Sequence, residues 1–190
     1  MARPKSEDKR NAILSAAVQV IEEQGLGAPT ARIAKLAGVA EGTLFTYFDS
    51  KDALLNALYL TLKDELREAL APDFPHTENL RERALYLWTS YVDWGVANPH
   101  KRKVMLVLSA SERITEQSRA VGMQAFADAG MLIADCIARG HLRDQSPAFA
   151  SAIMGALAET TMDFIVREPR QRQKYLDAGF NSFWNAVTQS

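Results

Sequence analysis

The sequence has few of the side chains on which disulfides and metal centres depend. Its 190 residues contain one cysteine, Cys136, which excludes an internal disulfide. The three histidines, His76, His100 and His141, lie far apart and lack the spacing of metal ligands. We therefore expect neither a metal nor another cofactor, and we expect a reducing, cytoplasmic environment.

Long apolar runs are scarce as well. No stretch approaches the roughly 18 consecutive apolar residues that a membrane-spanning helix needs. Near the start of the chain, Ser6, Glu7 and Asp8 interrupt any signal-peptide core. The sequence therefore predicts a soluble protein with no membrane partner.

Neither sign of charge is in excess. The formal net charge is −1, and residues 1–52 hold seven basic and seven acidic side chains. The total charge therefore does not indicate a nucleic-acid partner. Any DNA binding depends on where individual cations are placed.

The chain does contain one helical pattern after another. Apolar residues recur with helical spacing, as at Ile13, Ala17 and Ile21, and clusters of proline, glycine and polar residues separate the periodic segments. In the first segment Ser6 is the expected N-cap and Gly25 the expected end. About nine helices and no strand are predicted, so the fold class is all-α.

The most informative segment is TARIAKLAGVAEGTLFTYFDSKDALL, residues 30–55. Pro29 precedes a short helix over residues 31–37, for which the Thr30 hydroxyl is the predicted cap. Gly38 supplies the left-handed conformation that ends this helix.

A second short helix follows from about Glu41 to Phe48, and Ser50 is placed to cap a longer helix after it. Ala34 is small enough to let the two short helices cross closely. This pattern predicts a helix-turn-helix with Glu41 to Tyr47 as the recognition helix.

The segment closely resembles the DNA-binding part of the TetR family of bacterial regulators. The resemblance covers about residues 10–58 and includes the specific string GTLFTYFDSK. It implies that threonine and tyrosine hydroxyls and the Lys51 ammonium contact DNA phosphates, that Gly42 keeps the helix N-terminus open, and that Phe45 and Thr46 face the bases. The predicted DNA contacts are Thr30, Arg32, Glu41, Gly42, Thr43, Phe45, Thr46, Tyr47 and Lys51.

Two positions depart from the commoner family pattern. Phe45 stands where relatives often have tyrosine. Because it lacks the hydroxyl group, Phe45 can make only an apolar contact, as with a thymine methyl group. Glu41 brings a carboxylate near phosphates, which is costly unless it accepts from a cytosine amino group or pairs with a cation. Structural explanations remain open for three residues: Thr30 as a cap alone, Tyr47 as cover for a domain seam, and Lys51 as a solvated lysine.

The remaining two thirds of the chain match the family only in length and helical layout. The resemblance implies a ligand pocket between helices, and aromatic and flexible apolar side chains are available to line it. Plain core packing is the alternative for each of them. The predicted ligand-binding residues are Trp88, Tyr91, Trp94, Met105, Leu108, Met123, Phe126 and Phe164.

The last two predicted helices carry apolar stripes that need a partner. Two-fold pairing of these helices as a four-helix bundle resembles the family's dimer, and packing within one chain is the alternative. The predicted dimer-interface residues are Ile153, Leu157, Leu176, Phe180, Phe183 and Trp184.

These patterns predict a DNA-binding transcriptional regulator and not an enzyme. We expect a homodimeric repressor, released from a palindromic double-stranded operator by a small hydrophobic or amphipathic effector. Residues 1–50 form the expected DNA-binding domain, and residues 51–190 the effector-binding and dimerisation domain. Two alternatives remain: a helical small-molecule-binding protein or enzyme with a purely structural helix-turn-helix, and an architectural or protein-docking module without sequence-specific DNA binding.

Overall fold

The structure is a computed structural model that describes residues 3–75, 79–124, 126–138 and 142–187. His76 and His141 lie outside these ranges. All regular elements within them are helical, which confirms the all-α prediction. The α-helices are α1 Arg3–Gln24, α2 Thr30–Leu36, α3 Glu41–Tyr47, α4 Lys51–Leu70, α5 Leu80–Ala97, α6 Pro99–Ser109, α7 Glu116–Gln124, α8 Ala127–Ala138, α9 Pro147–Arg167 and α10 Arg172–Val187, with a 3₁₀ turn at Pro169–Gln171.

The described residues thus contain ten α-helices where about nine were predicted. The extra helix arises because one predicted segment is divided into α7, which ends at Gln124, and α8, which begins at Ala127. Neither proline nor a polar cluster marks this position in the sequence, so the composition of the segment gave no signal for a break.

Several predicted helix ends are confirmed. Gly25 and Gly38 have φ angles of +71° and +69°, the left-handed conformation that glycine adopts without a steric cost. Ser50 caps α4, because its Oγ accepts a hydrogen bond from the backbone N–H of Ala53 at 3.0 Å.

Two predicted N-caps are wrong. Helix α1 already begins at Arg3, so Ser6 lies inside it; Pro4 falls in the first turn, where its missing N–H costs nothing. Helix α2 begins at Thr30 itself, and its N-cap is Pro29 in an extended conformation without a side-chain cap. The Thr30 hydroxyl is instead bound to another side chain, described below.

The chain forms two compact units, each built from segments that are distant in sequence. Unit 1 comprises Met1–Glu65 and Pro99–Ala125, and unit 2 comprises Leu66–Asn98 and Phe126–Ser190. In this division by packing, α6, α7 and most of α4 belong to the same unit as α1 to α3. The predicted division by function at residue 50 stays a prediction.

Unit 1 is held by apolar faces of α1 to α4 and α6. Ile13, Ile33, Leu44 and Leu55 are all fully buried there. Burial of such side chains is worth about 1.5–3 kcal/mol each. Because α2 and α3 are short helices that are marginal alone, this packing fixes their orientation.

Unit 2 has an aromatic core. Trp88 of α5 stacks on Phe183 of α10 with 5.8 Å between ring centroids, and Phe180 lies 6.4 Å from the same indole. Helix α10 approaches closely because Gly179 carries no side chain. A Cβ atom at that position would lie 2.2 Å from Thr161 Oγ1.

Helix α9 is long and apolar enough in composition to span a membrane, although polar residues interrupt its apolar run. Ala148–Arg167 is 20 residues long with a mean hydropathy of 1.3, and only 28% of it is buried. A single helix of this kind does not establish a membrane protein, because core helices of soluble bundles have the same composition. It does show that much of an apolar helix is uncovered within one chain.

Candidate nucleic-acid interface

Helices α2 and α3 form a helix-turn-helix around a glycine turn. The backbone N–H of Val39 donates to the carbonyl of Ala34 at 3.0 Å, just after the left-handed Gly38. Ala34 and Leu44 are buried where the helices meet. The burial of the small side chain at residue 34 is consistent with the predicted close crossing of the two helices, which stays a prediction.

Contacts from α1 fix the end of α3. Phe48, which follows α3, is 4% exposed, and the Arg10 guanidinium lies 5.5 Å from its ring centroid. This is the range of a cation–π interaction. The inner face of α3 is thus immobilised, and its outer face remains open.

The outer face of α3 carries three of the predicted base-facing or groove-facing residues. Gly42, Phe45 and Thr46 are exposed, and Phe45 keeps 41% of its surface accessible. The Thr46 hydroxyl donates to the carbonyl of Gly42 at 3.1 Å, and its oxygen can still accept a hydrogen bond. Thr43 and Tyr47 are half-buried beside them.

Thr30 and Glu41 form a direct hydrogen bond. Thr30 Oγ1 donates to Glu41 Oε1 at 2.6 Å, joining the first residue of α2 to the first residue of α3. A hydroxyl has only one hydrogen to donate. The predicted donation from Thr30 to a phosphate therefore requires this bond to break, and sequence reasoning missed the pairing.

Arg32 also forms an ion pair within the protein. Its Nη2 atom lies 2.8 Å from Glu23 Oε2 near the end of α1, and both side chains are 54% exposed. Such an exposed ion pair contributes only about 0–1 kcal/mol. Arg32 is therefore held beside α1 in the free protein, by a bond weak enough for DNA to replace.

Lys51 has a structural role that the sequence did not indicate. Its Nζ atom donates to the backbone carbonyl of Ala28 at 2.6 Å, which ties the start of α4 to the turn before α2. Partial burial lowers the pKa of Lys51, and the nearby charge of Arg113 lowers it further, while Asp52 opposes the change. The ammonium keeps two hydrogens for another acceptor.

The predicted ligand-binding residues are divided between the two units. Met105 and Leu108 are buried in unit 1, and Met123 of the same unit is 65% exposed. The exposure of Met123 does not suit a cavity-lining side chain. The other five predicted residues are in unit 2. Trp88 and Trp94 are buried, Tyr91 and Phe126 are half-buried, and Phe164 is 40% exposed.

The predicted dimer-interface residues differ in their exposure. Leu176, Phe180 and Phe183 are at most 3% exposed within one chain, because α10 packs this stripe into the core of unit 2. This burial favours intramolecular packing for these three residues, and their place in an interface stays a prediction. Ile153, Leu157 and Trp184 are half-buried.

An exposed helix on a helix-turn-helix, with its inner face fixed in a core, defines a class of DNA-binding proteins. Within that class, residues 13–58 match the model of the bacterial regulatory proteins of the tetR family. A solved structure from Shewanella sp. PV-4, described as a tetR family transcription regulator, is 31% identical, covers 96% of this chain and 99% of its own, and has a TM-score of 0.83. The chain therefore belongs to the TetR family of bacterial transcriptional regulators.

Other relatives agree with this assignment over shorter segments or at lower identity. The HTH-type transcriptional regulator YhgD of Bacillus subtilis (strain 168) is 37% identical over 84 residues, 42% of this chain and 44% of that protein. The aligned segment thus spans less than half the length of that curated relative. The regulator FadR of Bacillus subtilis, solved with stearoyl-CoA, shares the fold with a TM-score of 0.65 at 19% identity, over 94% of this chain and 97% of its own.

Proposed function

We propose that the chain is a homodimeric cytoplasmic repressor that binds a palindromic operator and is released by a small hydrophobic or amphipathic effector. The surface of α3 carries this proposal. Gly42, Phe45 and Thr46 are exposed on a helix whose inner residue Leu44 is fully buried. A recognition helix needs this combination of an inner face fixed in a core and an outer face open to the major groove.

In the proposed complex, α3 lies in the major groove of the operator. Phe45 contacts a thymine methyl group and Thr46 lies against a base edge. The hydroxyls of Thr43 and Tyr47 donate to phosphates, which positions the helix without reading sequence. Lys51 adds a charged phosphate contact through the hydrogens that its bond to Ala28 leaves unused.

The proposed dimer surface is the exposed face of α9. Phe149, Ala152, Ala156 and Thr160 recur every three or four residues and are all exposed, so they form one stripe. The small side chains allow a second helix to approach closely, and the half-buried Leu157 borders the stripe. Two-fold pairing here would supply the symmetry of a palindromic operator, whose half-sites lie about one DNA turn apart, roughly 34–36 Å.

The proposed effector site lies in unit 2, on the domain that residues 51–190 provide. The buried indole Nε1 of Trp88 has no hydrogen-bond partner within the described part of the chain, and an unsatisfied buried donor costs about 1–3 kcal/mol. A ligand acceptor would remove this cost. Because FadR of Bacillus subtilis was solved with stearoyl-CoA, long-chain acyl compounds are the first class to test.

Release requires that the effector favour a state with low operator affinity. The shift between the two states that the effector can cause is limited by its differential affinity for them. Operator DNA must then lower effector affinity by the same factor, and typical couplings of about 1–3 kcal/mol correspond to about 5- to 150-fold.

Selection of binding sites from random duplex DNA by the purified protein tests the proposal. We expect an enriched palindrome with half-sites about one helical turn apart. Stearoyl-CoA and shorter acyl-CoA esters are then titrated into the complex, with free coenzyme A as the control. Enrichment of no sequence would contradict the operator; an enriched sequence without two-fold symmetry would contradict the dimeric mode of binding.

A further inference from the structure

We propose that Glu41 reads a cytosine in each operator half-site and that Thr30 positions its carboxylate for this contact. The inference rests on the proposed function and assigns a base to one side chain of the recognition helix. It follows from the hydrogen bond between these two residues, from the charges around them, and from the donors that bases present in the major groove.

The hydrogen bond fixes one oxygen of the carboxylate. Thr30 Oγ1 donates to Glu41 Oε1 at 2.6 Å, a short bond of the kind formed with an ionised acceptor. It connects the first residues of α2 and α3, which are eleven positions apart in sequence. Glu41 is exposed, so its second oxygen, Oε2, can accept a hydrogen bond from another donor.

Arg32 and Lys51, the two cations among the predicted DNA contacts, are bound to other groups of the free protein. Arg32 lies 2.8 Å from Glu23, and the Lys51 ammonium is bound to the carbonyl of Ala28. Across the described residues, Glu41 takes part in no ion pair. Close to DNA phosphates, its carboxylate is therefore repelled unless a donor on the DNA compensates for the lost water.

Two base edges in the major groove offer an amino group, and they suit different side chains. Cytosine presents its N4 amino donor, whereas adenine presents its N6 donor next to the N7 acceptor. A carboxylate has only acceptors, so adenine N7 repels it and cytosine does not. A side-chain amide has both functions and matches adenine. Glu41 consequently favours cytosine, and Glu41→Gln should favour adenine.

The test is a pair of selections from random duplex DNA, one with wild type and one with Glu41→Gln, followed by affinity measurements on the enriched operators. We expect one symmetric position to change from cytosine in the wild-type motif to adenine in the variant motif. On duplexes that differ only there, wild type should bind the cytosine form about 5- to 150-fold more tightly than the others. The remaining positions of the motif should stay the same.

Two further variants separate base recognition by Glu41 from general effects on DNA affinity. Asp49→Asn removes the same charge from an exposed position just after α3, so it should raise affinity for all sequences and leave the base preference unchanged. Thr30→Val keeps the shape of the side chain and removes the donor. It should weaken the discrimination in favour of cytosine while cytosine stays the preferred base.

Several results would overturn the inference. An identical motif for wild type and Glu41→Gln would remove Glu41 from base recognition. Full discrimination by Thr30→Val would remove Thr30 as the positioning residue. Failure of the wild type to enrich any motif is a different result, because it would overturn the proposed operator binding itself. Circular dichroism confirms that each variant is folded, which the exposure of Glu41 leads us to expect.

Discussion

At the scale of single residues, the proposed DNA interface depends on the absence of a side chain at one position as well as on the side chains around it. Gly42 lies on the outer face of α3, and a Cβ atom built there meets nothing within 4 Å. The free protein therefore has no packing reason for glycine at this position. A close approach to DNA would supply such a reason.

The substitution Gly42→Ala tests this interpretation. Alanine is a better helix former by about 1 kcal/mol, so the thermal stability of the free protein should stay the same or rise. Operator affinity should fall by about tenfold, or about 1.4 kcal/mol. Gly130→Ala is the control, because its Cβ also meets nothing in the exposed part of α8. Wild-type operator affinity of Gly42→Ala would place residue 42 away from the DNA.

Lys51 combines a structural bond with a proposed phosphate contact, and two measurements separate them. Lys51→Met loses the hydrogen bond to Ala28, so the free energy of unfolding should fall by about 1 kcal/mol. If the ammonium also contacts a phosphate, the slope of log affinity against log salt should flatten by about 0.9. Lys174→Met, on an exposed part of α10, should change neither. An unchanged slope in Lys51→Met would leave Lys51 with the structural role alone.

At the scale of helices, the sequence predicted the apolar face of each helix and the ends of most helices. The apolar faces follow from local spacing, and the ends follow from glycine conformations. It did not predict which residues distant in sequence form hydrogen bonds with each other. The bonds from Thr30 to Glu41 and from Lys51 to Ala28 join residues 11 and 23 positions apart, and helical periodicity contains no information on such pairs. The apolar stripe of α10 packs into the core of unit 2 within one chain, a long-range contact that its periodicity also could not specify.

Helix α10 also gives a stability prediction. In Gly179→Ala the new Cβ would lie 2.2 Å from Thr161 Oγ1 and 2.8 Å from Trp88 Cζ2, so side chains must shift. Overpacking of this kind costs about 1–3 kcal/mol, which urea denaturation can measure. Adding Thr161→Ala removes the nearest atom and should restore part of the loss. Equal stability of Gly179→Ala and wild type would contradict the close packing of α9 and α10.

At the scale of the whole molecule, α9 is an apolar helix that a single chain leaves mostly uncovered, since only 28% of its apolar stretch is buried. Water contact over such a surface is unfavourable. The exposed side chains are small ones along the middle of the helix, with larger ones toward its two ends, namely Phe149, Phe164 and Val166. The proposed dimer would cover this face with a second copy of α9.

Charged substitutions on that face should yield monomers. Ala152→Arg and Ala156→Arg, introduced together, place two cations on exposed positions, so each chain should still fold. Burying them against a second copy is costly, and analytical ultracentrifugation should report the mass of one chain. Ala120→Arg, on an exposed position of α7, is the control that should remain dimeric. A dimer that survives both changes would move the interface away from α9.

The central claim is that the outer face of α3 reads base sequence rather than only binding phosphates. The most direct measurement is the ratio of dissociation constants for the selected operator and a scrambled duplex of the same composition and length, at one physiological salt concentration. Specific regulators bind their sites about 10³- to 10⁷-fold more tightly than other DNA. We predict a ratio of at least about 10³. A ratio near one would contradict the account, because it would mean that the chain holds the DNA backbone without reading the sequence.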